Sequence, residues 1–193
     1  AAGAPSAAAR KVRLQEVRRV LCPDKPVGLR TLMLAITKKC PLACEHCFEG
    51  DYVQGEEVLS WDDLHEIVSQ YQDAGTPVIW LSGGEPMARY RDLRYLLQQA
   101  RAGTDFWVVT SGYRLNEPAA RALKSDGLTG VIVSLDHHDP EAHNRFRGSD
   151  RAFDWAVRAC VSARKAGLVT ALSLCATRGF VSEANFRLYM DLA

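Results

Sequence analysis

The run Cys40-Pro-Leu-Ala-Cys44-Glu-His-Cys47 places three cysteines directly after an apolar stretch, Thr31–Thr37, that predicts a strand. Thiolates are the natural ligands of iron–sulfur clusters and of zinc. Three thiolates so close in sequence can hold one metal centre, but they cannot complete a shell of four cysteines. The spacing therefore predicts a metal centre at the end of the first strand, with one coordination position left for another ligand.

Two alternatives to a cluster stay open from the residues alone. A zinc site needs a fourth ligand, and His46 is adjacent, although a residue between two ligands usually points away from the metal. The three thiols could also be buried free cysteines. The scattered cysteines Cys22, Cys160 and Cys175 are expected to be core or incidental residues. Clustered cysteines in a chain of this size favour metal or redox chemistry over a disulfide framework.

Size and composition predict one globular domain. The chain has 193 residues, of which 47% are hydrophobic and 24% charged, with a net charge of +1. Such a charge gives no strong field toward nucleic acid or anionic lipid. No apolar run approaches the ~20 residues of a membrane span. We therefore expect neither a nucleic-acid nor a membrane partner. A reducing cytoplasm is the expected location for an oxygen-sensitive centre of this type.

The order of the predicted elements indicates an α/β fold. The predicted strands are Thr31–Thr37, Val78–Leu81, Phe106–Thr110, Val131–Leu135 and Val169–Cys175. The predicted helices are Trp61–Asp73, Asp92–Ala102, Glu117–Lys124, Arg151–Ala166 and Glu183–Leu192. Ser60 and Asp63 have the spacing of a capping box. Five strand–helix units without a hairpin signal predict a parallel sheet, either open or curled into a barrel.

The first 29 residues differ from the rest. Residues 1–29 are interpreted as a leader followed by a basic helix near residues 10–20, and residues 30–193 as the core domain. The leader has no apolar core of the kind that a secretory signal requires. We expect the basic helix to present an ordinary solvated face.

Polar and glycine-rich residues follow each later strand. The second strand is followed by Ser82-Gly83-Gly84-Glu85-Pro86, where the glycines could serve a tight turn or let a ligand approach the backbone. Glu85 offers an acceptor for an ammonium group. Ligands of parallel βα folds gather where strands end and loops begin. The residues predicted at this edge after the later strands are Ser111, Ser134, Asp136 and Thr177.

The cysteine run after the first strand, together with Gly83-Gly84-Glu85-Pro86 after the second, resembles the radical S-adenosylmethionine (SAM) superfamily over residues 30–193. The resemblance implies a partial TIM barrel of the (β/α)6 type, of which about five units are present, so we expect the chain to stop before the sixth strand. A second pattern is similar to the branch with molybdenum-cofactor cyclising enzymes, tetrapyrrole-modifying enzymes and SPASM-type peptide maturases: Ser134-Leu-Asp136, His143 and Arg145-Phe-Arg147-Gly148.

The resemblance implies a cofactor pair. A [4Fe–4S] cluster on Cys40, Cys44 and Cys47 would bind SAM through the amino and carboxylate groups of SAM at its remaining iron. Reductive cleavage then gives methionine and a 5′-deoxyadenosyl radical, which takes a hydrogen atom from the substrate. The implied partners are a reductant such as flavodoxin or ferredoxin and a substrate that is a peptide, a tetrapyrrole or a small cofactor precursor.

The resemblance also implies roles for single residues. Gly83, Gly84 and Glu85 would accept hydrogen bonds from the SAM ammonium group. Ser134 and Asp136 would form hydrogen bonds with the ribose. The remaining positions are less determined. Ser111 would supply a polar contact, Arg147 would pair with the SAM carboxylate or be a surface charge, His46 would stack on the adenine or be a surface histidine, and Thr177 would lie near the adenine.

A function from another class remains as the alternative. The same three cysteines could serve a non-enzymatic iron–sulfur or zinc-binding domain that transfers electrons or scaffolds a partner. Formation of 5′-deoxyadenosine separates the two hypotheses, because only the enzyme is expected to produce it.

Overall fold

The computed structural model describes residues 29–50 and 53–193. The predicted leader, the basic helix near residues 10–20 and Cys22 lie outside these residues. The predicted boundary between residues 29 and 30 stays a prediction.

One parallel sheet forms the centre of the described residues. Its five strands pair in chain order, with every neighbouring pair parallel. The strands are β1 Thr31–Ala35, β2 Val78–Ser82, β3 Asp105–Thr110, β4 Leu128–Ser134 and β5 Val169–Ser173. The predicted parallel α/β arrangement is confirmed, with strand ends within three residues of the predicted ones.

Six helices connect or follow the strands in the described part of the chain. They are α1 Trp61–Asp73, α2 Tyr90–Gln99, α3 Glu117–Ser125, α4 Pro140–Arg147, α5 Ala152–Lys165 and α6 Glu183–Leu192, and a short 3-10 helix, Pro86–Arg89, precedes α2. The predicted capping box of α1 is present: Ser60 Oγ accepts from the Asp63 N–H, and the Asp63 carboxylate accepts from the Ser60 N–H. None of these helices is long and apolar enough to cross a membrane.

Helix α4 was not predicted, because only one of its side chains, His143, is buried and its apolar periodicity is weak. Its ends nevertheless carry ordinary signals. Asp139 caps the start by accepting from the Ala142 N–H at 2.9 Å, and Pro140 occupies the first turn. Gly148 ends the helix in the left-handed conformation with φ of 66°.

The hydrophobic core lies between one face of the sheet and the helices. The strands pair in chain order, so crossovers of the usual right hand would all place their helices on that face. Its fully buried strand residues include Ile79, Leu81, Val108, Val131 and Val133. The opposite face carries a row of paired positions across the sheet: Met33, Trp80, Trp107, Gly130 and Val169.

We expect Leu81→Ala to lower the free energy of unfolding by about 2–5 kcal/mol, because it opens a cavity in a fully buried position of β2. The control Val161→Ala, on the exposed side of α5, should change it by less than about 0.5 kcal/mol. Urea denaturation of the purified protein measures both values. Equal losses in the two variants would contradict this placement of the core.

Candidate functional site

A cavity of about 110 Å³ lies at the carboxyl edge of the sheet, beside the ends of β1 to β4. Ten of the twelve predicted site residues line it: Cys40, Cys44, His46, Cys47, Gly83, Gly84, Glu85, Ser111, Ser134 and Arg147. A larger cavity of about 630 Å³ lies at the starts of α2 and α3, and none of the predicted residues lines it. The smaller cavity, which the three thiols line, is therefore the candidate functional site.

The cysteine loop, residues 36–47, follows β1 and carries the three cysteines. It is held by hydrogen bonds from residues 53–57. The Gln54 N–H donates to the Lys38 carbonyl at 2.8 Å, and the Gln54 side chain donates to the Cys40 carbonyl. The Glu57 carboxylate accepts from the Thr37 hydroxyl and from the Lys38 N–H. Residues 53–57 thus fix the start of the cysteine loop, a role that the sequence pattern did not reveal.

The thiols are held in partly desolvated positions. Cys40 and Cys44 are half-buried, and Cys47 is exposed. Burial raises the pKa of Cys40 to about 11 and also raises the pKa of Cys44, which the Arg147 guanidinium opposes. Because the thiolate is the metal-binding form, loading the site would release protons.

The donor chemistry fits an iron–sulfur cluster, since three thiols line one cavity. Across residues 29–50 and 53–193, no group of three or more His, Cys, Asp and Glu side chains is arranged to hold a single metal ion. His46 also lines this cavity, and its Nδ1 is buried without a hydrogen-bond partner among the described residues.

The two glycines after β2 allow two backbones to pack together. The Gly84 N–H donates to the Thr37 carbonyl and the Glu85 N–H to the Lys39 carbonyl, both at 2.8 Å. A Cβ on Gly83, whose φ is 120°, would overlap the Thr37 carbonyl, and one on Gly84 would lie 2.5 Å from the Lys39 carbonyl. The glycines are therefore required by contact with the cysteine loop, whatever ligand they also approach.

Glu85 is buried beneath this contact, with a relative exposure of 1%. Its carboxylate accepts from the Met87 N–H at 3.0 Å, from the Thr110 hydroxyl at 2.7 Å, and from the Ser111 N–H and hydroxyl at 2.8 and 2.5 Å. Burial raises the pKa of Glu85, and these hydrogen bonds oppose the rise. Four protein donors thus bond to the carboxylate, whose two oxygens offer about four acceptor positions. Its contact with a SAM ammonium stays a prediction.

Arg147 belongs to the cavity rather than to the surface. Its Nε lies 2.6 Å from Asp136 Oδ2, and the two side chains are 12% and 2% exposed. Its Nη1 lies 3.8 Å from Cys44 Sγ. The surface-charge alternative for Arg147 is therefore wrong, and Asp136, which was expected at the ribose, has a buried cation as its partner.

His46 has an aromatic partner within the protein. Its ring stacks on Phe146 with centroids 4.3 Å apart and an interplanar angle of 3°. Burial lowers the pKa of His46, which favours the neutral ring. One face of the imidazole is thus covered, and stacking on an adenine stays a prediction.

Asp136 and Thr177 lie outside the first cavity and line a second one of about 190 Å³ at the ends of β4 and β5. Behind them, His143 is buried and its Nδ1 accepts from the Asp136 N–H at 3.1 Å. Burial lowers the pKa of His143 to about 4, so the ring is neutral near pH 7. The sequence offered His143 only as part of a pattern, and the structure shows it joining α4 to the end of β4.

The fold and the site define an α/β protein with three thiols and a glycine-rich loop at the carboxyl edge of a parallel sheet. The family model of the Radical SAM superfamily matches residues 34–181 of this chain. The chain therefore belongs to the radical SAM superfamily, a superfamily of enzymes, as the motifs predicted.

Curated relatives and solved structures agree with this assignment. The chain is 34% identical to Fe-coproporphyrin III synthase of Methanosarcina barkeri over 139 residues, which cover 71% of the chain and 34% of that protein. It is 35% identical to a probable GTP 3′,8-cyclase of Methanococcus vannielii over 125 residues, 63% of the chain and 41% of that protein. The chain thus spans about a third to two fifths of the length of these relatives.

The fold also matches a solved structure. Streptococcus suis SuiB, bound to its precursor peptide SuiA, superposes with a TM-score of 0.69 at 15% identity, over 100% of this chain and 42% of SuiB. The partial-barrel fold is thereby confirmed. The tetrapyrrole synthase and the cyclase agree with the predicted branch.

We expect Glu85→Gln to lower the free energy of unfolding by about 1–3 kcal/mol. The side-chain NH₂ of glutamine would replace a carboxylate oxygen that now accepts hydrogen bonds, so buried donors would lose their acceptor. Glu56→Gln, at an exposed position, is the matched control and should leave stability nearly unchanged. Chemical denaturation of the cluster-free protein measures the difference. Equal stability of the two variants would show that Glu85 does not connect the loops after β2 and β3.

Proposed function

We propose that this chain is the core of a radical SAM enzyme, with a [4Fe–4S] cluster on Cys40, Cys44 and Cys47. The observation that carries the proposal is the meeting of three thiols, the glycine pair and Arg147 in one cavity at the strand ends. When bound, the cluster and SAM together supply the reductive cleavage of SAM to methionine and a 5′-deoxyadenosyl radical, which takes a hydrogen atom from the substrate.

The protein's own groups would bind and orient SAM. The backbone at Gly83 and Gly84 would receive the ammonium group, and the charge of Glu85, whose acceptor positions are occupied by protein donors, would favour the cation there. The Arg147 guanidinium has five N–H donors, and Asp136 and Cys44 engage Nε and Nη1, so further donors can reach the SAM carboxylate. The other contacts that we propose are a polar contact from Ser111, ribose contacts from Ser134 and Asp136, and adenine contacts from His46 and Thr177.

We propose the substrate and the reductant by chemical class only. Relatives are named for tetrapyrrole synthesis and GTP cyclisation, and a structural neighbour binds a precursor peptide. We propose a substrate from these classes, a peptide, a tetrapyrrole or a small cofactor precursor. We also propose a one-electron donor such as flavodoxin or ferredoxin and a reducing cytoplasm, because an exposed cluster is sensitive to oxygen. The row of Trp80 and Trp107 on the open face of the sheet is where substrate contacts are expected.

Anaerobic reconstitution should load about four iron and four sulfide per chain, the content of one [4Fe–4S] cluster. Cys40→Ala, Cys44→Ala and Cys47→Ala should each lose most of the iron, because each removes a thiolate ligand. Cys160→Ala, on α5, is the control and should load normally. Iron and sulfide assays with absorption spectra measure this, and zinc in place of iron, or loading that survives all three changes, would defeat the cluster.

The reconstituted protein, reduced with dithionite in the presence of SAM, should form 5′-deoxyadenosine and methionine in equal amounts. Cys44→Ala should form neither above background, because it cannot load the cluster. Chromatography with mass detection measures both products. A fully loaded, reduced protein that leaves SAM intact would instead favour an electron-transfer or scaffold domain.

A further inference from the structure

The C-terminal end of helix α4 packs directly against the cysteine loop. The Glu45 N–H donates to the Phe146 carbonyl at 3.0 Å, and the Cys44 thiol lies 3.7 Å from the Arg147 carbonyl. A Cβ on Gly148 would lie 2.5 Å from the Ala43 carbonyl. The helix end is therefore held in place by contacts on both sides of Cys44.

This arrangement has an electrostatic consequence once Cys44 is a thiolate. The last carbonyls of a helix carry a partial negative charge of roughly half an electron. A thiolate beside them is repelled, and it can no longer donate to the Arg147 carbonyl. A cation is needed at this point, and the guanidinium of Arg147 supplies it, with Nη1 3.8 Å from Cys44 Sγ.

The position of the guanidinium is set by a buried carboxylate. Asp136 Oδ2 accepts from Arg147 Nε at 2.6 Å, and Asp136 Oδ1 accepts from the Cys175 N–H at 2.9 Å. The Asp136 N–H is itself bonded to His143 Nδ1. Contacts from the loop after β5 and from α4 thus fix Asp136, and Asp136 fixes the direction in which Arg147 points.

We propose that Arg147 is the electrostatic partner of the Cys44 ligand and raises the reduction potential of the cluster, with Asp136 as the residue that positions it. The proposal rests on the cluster proposed in the preceding subsection. Reduction adds one electron from an external donor, and part of that negative charge falls on the thiolate sulfurs. A cation and an N–H donor beside one sulfur stabilise the reduced cluster more than the oxidised one.

The direct test is the midpoint potential of the cluster without SAM, measured by redox titration with EPR detection of the reduced cluster. Arg147→Gln should shift the midpoint to a more negative value, and Arg147→Lys should retain part of the wild-type value. Arg158→Gln is the matched control, because it removes the same charge from an exposed position on α5, and it should match the wild type. A midpoint for Arg147→Gln equal to that of the wild type would overturn the inference.

A second measurement tests the positioning by Asp136 and needs no cluster. In the cluster-free protein, the stability losses of Asp136→Asn and Arg147→Gln should not add in the double variant, because both break one buried ion pair. Additive losses would show that Asp136 does not act through Arg147. A wild-type protein that binds no cluster would defeat the proposed function and this inference together, whereas a loaded wild type with an unchanged Arg147→Gln midpoint defeats only the inference.

Discussion

Two backbone hydrogen bonds hold the loop after β2 against the cysteine loop, and the site depends on them. The Gly84 N–H reaches the Thr37 carbonyl and the Glu85 N–H reaches the Lys39 carbonyl. The contact is close enough that side chains larger than hydrogen cannot be accommodated at Gly83 and Gly84. Because Glu85 is in turn bonded to Thr110 and Ser111, the loops after three successive strands form one connected unit. The positions of the thiols follow from that unit.

Charge is the second constraint. Three thiolates in a partly desolvated cavity repel one another and the end of a helix, and burial already raises the pKa of Cys40 and Cys44. Iron would compensate most of this negative charge. The guanidinium of Arg147, directly beside Cys44, supplies a further positive charge. The buried Asp136 holds that guanidinium at the cavity instead of letting it extend into solvent. In the same ion pair, Arg147 lines the thiol cavity and Asp136 lines the second cavity near Thr177.

Short sequence patterns predicted the features that depend on residues close together in the chain. The capping box at Ser60 marked the correct start of α1, and the alternation of strands and helices predicted the parallel sheet. The cysteine spacing and the glycine pair indicated the edge at which the site lies, because strand ends of a parallel sheet meet there. Helix α4 was missed because it is mostly polar, although Pro140 and Gly148 mark its ends. The partners of Glu85 and Arg147 are distant in sequence, so no local pattern reveals them.

The central claim is that one iron of the cluster is left without a protein ligand so that SAM can bind there. Electron–nuclear double resonance of the reduced, reconstituted protein, mixed with SAM carrying ¹⁵N in its amino group, tests this directly. Coordination of the amino group predicts a ¹⁵N hyperfine coupling of the size expected for nitrogen bound to iron, absent with unlabelled SAM. A cluster that shows no such coupling in excess SAM, with its fourth iron ligated by a side chain such as His46, would contradict the claim.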